Sequence, residues 1–159
     1  MKPNSSSDWP DTSDQDPPAD HRYASATWLL GRHRQLAELA DRVPGVVTVG
    51  TEGLPAIDLE ALADALVALD ADRAAWAAYE EAHPAPYDDD RYDAWEAAGP
   101  QRHPMARVLG VMSRTEVARL RLLAVFSSQR VPLGVWDTQG LDDAGQELLS
   151  DWCRALVTA

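Results

Sequence analysis

The sequence predicts a mainly α fold: a single compact helical domain over 22–159, of about five to six helices, with a short β-hairpin near 46–57. Three observations lead there. Apolar residues recur at helical spacing in several separate stretches. Proline and glycine pairs punctuate those stretches. The only β-branched run, VVTV at 46–49, is four residues long. Apolar residues make up 45% of the 159, enough for one sizeable core and too many for wholesale disorder.

The elements follow in order. Residues 1–21 are rich in Pro, Ser and Asp, with only Trp9 to bury, and read as a disordered acidic tail. A helix is expected over 23–43, where Leu29, Leu36, Ala40 and Val43 share a face and Pro44-Gly45 stops it. VVTV, a glycine-containing loop at 50–53 and LPAI at 54–57 predict the hairpin, with Pro55 confining its second strand to an edge. Asp58 caps the clearest helix, in which Leu59, Leu62, Leu66, Leu69, Arg73 and Trp76 follow 3-4 spacing. Asp70-Ala71-Asp72 is a point where that helix could divide, and His83-Pro84-Ala85-Pro86 ends it.

A shorter helix over 89–98 starts with aspartates at its positive dipole end and stops at Gly99-Pro100. Residues 105–112 read as a further helical stretch. Ser113-Arg114-Thr115-Glu116 has the capping-box pattern and opens a helix to about 127, apolar all round in its second half and therefore central. The last helix, over 142–156, is expected to bury Leu148, Leu149, Trp152 and Leu156. Trp28, Trp76, Trp136 and Trp152 read as core, and Cys153 as a buried, inert thiol.

Charge limits the functional classes. The net charge is −12, distributed as −4 over 1–21, +2 over 22–44, −10 over 45–103, +4 over 104–131 and −4 over 132–159. Such a field disfavours nucleic acid unless one basic element stands clear of it. Arginine outnumbers lysine 13 to 1 beside abundant alanine, a bias typical of GC-rich bacterial coding and weak evidence of arginine chemistry. No apolar run approaches a membrane span, the N-terminus has no secretory pattern, and one cysteine cannot form an internal disulfide. A cytoplasmic protein is expected.

Catalytic and metal motifs do not emerge. His21, His33, His83 and His103 lack the short spacings of a zinc helix, and the aspartates from Asp88 do not fit a calcium loop, so neither metal nor cofactor is expected. The chain contains no G-x-S-x-G, Walker A or G-x-G-x-x-G sequence.

Two constellations remain. Tyr87, Tyr92 and Trp95 lie in an acidic stretch between proline-containing breaks, with Tyr92 and Trp95 on one side of a short helix. That combination suits a partner-docking surface, since Trp and Tyr dominate interface hot spots; the alternative is a helix that packs onto the domain. Arg107, Arg114, Arg121 and Arg130 form the basic segment. The first three have heptad spacing and would align only in a continuous helix, against the capping box at Ser113. Their alternatives are an anion or nucleic-acid site, or pairing with the chain's own acidic 45–103 segment. Residues 113–157 also resemble a helix-turn-helix loosely, with a turn around 136–140, but Asp142, Asp143, Glu147 and Asp151 would repel phosphate. The leading expectation is a non-enzymatic accessory or regulatory protein working through a protein partner. Behind it stand a nucleic-acid-binding regulator using the arginine segment and a small enzyme with an unrecognised carboxylate site.

Overall fold

The structure is a computed structural model and describes residues 9–19, 22–134 and 141–158. In chain order the elements are α1 (Arg22–Arg32), α2 (Arg34–Asp41), β1 (Val47–Val49), β2 (Pro55–Ile57), α3 (Leu59–Ala82), α4 (Asp89–Ala98), α5 (Pro104–Gly110), α6 (Arg114–Ala124) and α7 (Asp143–Thr158). The fold is compact and mainly α, as the periodicity and punctuation predict. The hairpin pairs Val47 with Ile57, Thr48 with Ala56 and Val49 with Pro55, antiparallel.

The core gathers around α6, whose residues from Val117 to Ala124 are all buried. Leu36, Leu59, Leu62, Leu66, Leu109, Leu120, Leu123 and Leu148 fill it from five helices. The capping box at the start of α6 is formed in full. Ser113 Oγ accepts from the Glu116 amide at 3.2 Å, and the Glu116 carboxylate accepts from the Ser113 amide at 2.7 Å. That separates α5 from α6.

Several expectations need correction. The helix expected over 23–43 is broken at His33, which adopts an extended conformation (φ −117°). There its ring reaches Asp151 on α7, with 2.9 Å between Nε2 and Oδ2. The long helix α3 does not divide at 70–72. Both aspartates there are engaged by side chains or backbone from elsewhere, Asp70 by Arg121 and Asp72 by Arg102 and the His103 amide. Leu156 is exposed on α7, and so is Cys153. Trp28 is buried and Trp152 lies against the core, whereas Trp76 stands outside it; Trp136 and the turn at 136–140 lie outside the described residues.

Residues 9–19 also differ from the tail expected over 1–21. Trp9 is buried in the core cluster, and Thr12 Oγ1 donates to the Trp28 carbonyl oxygen at 2.6 Å. A single tryptophan and a few backbone-directed contacts suffice to seat a segment whose composition alone gives no sign of packing.

Candidate functional site

Helix α3 has two halves with different surroundings. Up to Asp72 it carries a buried face of Leu59, Leu62, Ala63, Ala65, Leu66 and Leu69. From 73 to 99 no residue is buried, across the last ten residues of α3, the link and all of α4. This stretch is an arm that leaves the core at Asp72 and folds back on itself. Asp58 caps α3 at its core end and Asp88 caps α4, accepting from the Ala61 and Asp90 amides respectively.

Aromatic side chains hold the arm together. Trp76, Tyr79 and His83 recur at intervals of three and four along α3, and Tyr92 and Trp95 at three along α4. The Trp95 ring lies 5.8 Å from Trp76, 5.2 Å from Tyr79 and 5.3 Å from Tyr92, and Tyr79 stacks on His83 at 4.9 Å. Trp95 Nε1 donates to the His83 carbonyl oxygen at 2.5 Å. Tyr79 Oη in turn donates to the carbonyl oxygen of Trp95 at 2.8 Å.

The root is fixed by a second set of contacts. Arg102 stacks over Trp76 at 4.3 Å and reaches the Asp72 carboxylate at 3.5 Å, where the His103 amide also donates at 3.3 Å. Gly99 lets the chain pass close to the ring, because a Cβ on it would lie 2.5 Å from Trp76 Cη2 and force the ring to shift. An open groove of about 730 Å³ runs along this root, with Trp76, Glu96, Arg102, Arg107 and Val111 among its lining.

Of the aromatic candidates, Tyr92 and Trp95 come together, while Tyr87 stands fully exposed in the link. Trp95 is only part of the arm's surface, since the stack covers much of it. Trp76, Tyr79, His83 and Arg102 belong to the same assembly; the sequence places Trp76 in the core and His83 at the helix end, and gives Tyr79 and Arg102 no role. The signal was present in the 3-4 spacing, but that spacing continues the core stripe of α3 without interruption. The arm carries seven carboxylates against Arg73 and Arg91, so its surface is strongly acidic.

The arginine candidates are dispersed. Arg107 is exposed on α5, Arg114 at the start of α6, and Arg130 beyond its end. Arg121 is buried and forms a two-pronged pair with Asp70, and its Nη1 also donates to the Pro132 carbonyl oxygen at 3.3 Å. The neighbouring Arg119 is likewise engaged, with Asp142 at 2.6 Å and Gln35 at 3.0 Å.

A second polar cluster joins α1, α2 and α7. The Asp151 carboxylate accepts from Arg32 Nε at 2.7 Å, faces His33 Nε2 at 2.9 Å, and lies 3.3 Å from Arg154. Burial lowers the His33 pKa, against the opposing pull of Asp151. Burial would raise that of Asp151, but its bonds to Arg32 and His33 prevail and hold it below the ordinary carboxylate value. His33 is therefore neutral near pH 7 and donates to an ionised Asp151. Among the described residues no group of three or more His, Cys, Asp or Glu side chains is placed to hold a metal ion, and no helix is long and apolar enough to cross a membrane. No family model, curated protein or solved structure matches the chain.

Proposed function

We propose that the protein is a non-enzymatic accessory protein that works by docking a protein partner, and that the arm over 73–99 is the docking element. The observation that carries this reading is the arm's relation to the core: an ordered helical hairpin with no buried residue contributes little to the core's stability. Its order comes from the Trp76–Tyr79–Trp95 stack, which leaves Tyr87, Tyr92 and the carboxylates turned outward. Exposed aromatics within an acidic rim suit a basic partner surface, with the rings supplying contact energy and the charge steering association.

The test is affinity capture by the tagged full-length chain from native lysate, with nuclease present. The comparison is a Tyr87→Ala/Tyr92→Ala double variant, whose positions are exposed. The proposal expects a stoichiometric protein partner with the wild type, loss of that partner with the variant, and unchanged thermal unfolding. Equal recovery by both chains would remove the arm from the function. Loss of all captured material on nuclease treatment would instead favour a nucleic-acid partner.

A further inference from the structure

We propose that the cavity between the end of α1, the start of α2, α6 and the start of α7 is a binding site for a small tetrahedral oxyanion, a phosphate or a phosphate monoester. This site is separate from the arm and does not rest on its role.

The cavity is open to solvent and measures about 200 Å³, room for a phosphate group. Arg32, His33, Arg34 and Arg119 line it beside Leu36 and Leu148, and no described carboxylate is among its lining residues. In a chain of net charge −12, that is a local concentration of cationic side chains against the general trend. They arrive from different elements: Arg32 ends α1, His33 links it to α2, Arg34 opens α2, and Arg119 projects from α6. Guanidinium groups converging from three helices suit an anion with oxygens on several sides better than a planar monocarboxylate.

Each arginine is held from outside the cavity wall. Arg32 Nε donates to Asp151 at 2.7 Å, and Arg34 Nε to Glu38 at 2.9 Å. Arg119 is buried, and donates to Asp142 at 2.6 Å and to Gln35 at 3.0 Å, which leaves its other N–H groups for a ligand. These contacts order the guanidinium groups in advance, so less freedom is lost when an anion binds. Glu38 and Asp142 are exposed, and water screens much of their opposing charge. His33 adds to the donor set indirectly. It stands in the capping position of α2, yet its ring turns to Asp151 and makes no bond to the first turn, which also contains no acidic residue. The first amides of α2 are therefore left without a side-chain cap.

The experiment titrates the full-length chain, at constant ionic strength, with inorganic phosphate, glycerol phosphate or acetate, followed by calorimetry and by NMR. Saturable phosphate binding is expected, with shifts at the amides of Arg34 and Gln35 and at the Arg119 Nε–H. The bound dianion should also raise the pKa of the His33 ring, which burial lowers in the free chain and whose charged neighbours are Asp151, Arg32 and Glu147. Arg34→Gln, at an exposed position, should weaken binding at least ~10-fold. Gln35→Glu keeps an acceptor for Arg119 but adds a carboxylate to the lining, and should abolish binding. The ratio of the phosphate and glycerol phosphate affinities assigns the source, free anion or ester. Absence of saturable binding would overturn the proposal, as would acetate binding as tightly as phosphate. So would phosphate binding that survives Gln35→Glu in a chain of native circular dichroism. Should Gln35→Glu lose its native dichroism, Arg34→Gln decides by the same measure, and unchanged affinity would overturn the proposal.

Discussion

Tyr79 on α3 donates its hydroxyl to the backbone carbonyl oxygen of Trp95 on α4, at 2.8 Å, while the two rings lie 5.2 Å apart. One residue pair thus supplies both the ring contact and the hydrogen bond that tie α4 to α3. Since no residue between 73 and 99 is buried, the tie is local to the arm. Trp95→Ala should strip hydrogen-exchange protection from the amides of α4 while shifting global stability by less than about 1 kcal/mol. Tyr87→Ala and Tyr92→Ala should each stay within about 0.5 kcal/mol. A global loss of roughly 3–5 kcal/mol for Trp95→Ala, the range for a core aromatic, would show that the arm is part of the core.

The pair between Arg121 and Asp70 assigns this arginine to structure. Arg121 keeps 7% of its side chain exposed and Asp70 36%. Asp70→Ala leaves a buried guanidinium with only the Pro132 carbonyl oxygen nearby. The expected loss is about 2 kcal/mol, below the roughly 3–5 kcal/mol for a fully buried pair because water still reaches the carboxylate side. Arg121→Met, which removes the charge and keeps much of the volume, should cost less than Asp70→Ala. Urea unfolding of the two variants checks the order, and the reverse order would contradict this account.

Gly31 offers a test in which the usual sign inverts. In an exposed helix interior, Gly→Ala stabilises by about 1 kcal/mol. Here the added methyl meets Pro10 and Thr12, so the segment above must lift. Gly31→Ala should lower the urea midpoint and speed proteolysis within 9–19. A raised midpoint with unchanged proteolysis would show that the segment contributes nothing there.

Most of the fold was legible because its signals are local. The capping box at Ser113, the Asp58 cap and the proline stops each act within one turn, and the structure forms them where the residues stand. What was not legible depends on distant partners. His33 breaks a helix whose apolar spacing runs straight through it, because its ring is drawn to Asp151, far along the chain. Trp76 extends the α3 stripe in sequence, yet the core ends at Asp72, and the face beyond meets Trp95 of α4 and Arg102, which leave it partly exposed. Trp9 is embedded among residues that composition assigns to solvent. Tyr92 and Trp95 were found by local spacing; Tyr79 shares such spacing with Trp76 but merges with the core stripe, and Arg102 joins the arm through a contact that no spacing rule reports.

The His33–Asp151 pair should make stability depend on pH in two separable steps. Burial lowers the folded-state pKa of His33 below its ordinary 6.5. Between those two values the unfolded chain binds more protons, so stability is complete above about pH 6.5 and declines as pH falls toward the folded-state pKa. Asp151 is also depressed, from an ordinary 3.8, so its contribution is present above that value and is lost as pH falls through its folded-state pKa. The first step belongs to His33 and the second to Asp151. Asp151→Asn removes the second step and isolates the first. It removes the carboxylate whose hydrogen bond and charge raise the His33 pKa, leaving burial and Arg32 to lower it against Glu147 alone. A ring-proton NMR titration should therefore find His33 titrating at lower pH in Asp151→Asn than in the wild type. If the His33 pKa stayed level or rose, the carboxylate would not be acting on the ring as the 2.9 Å contact requires.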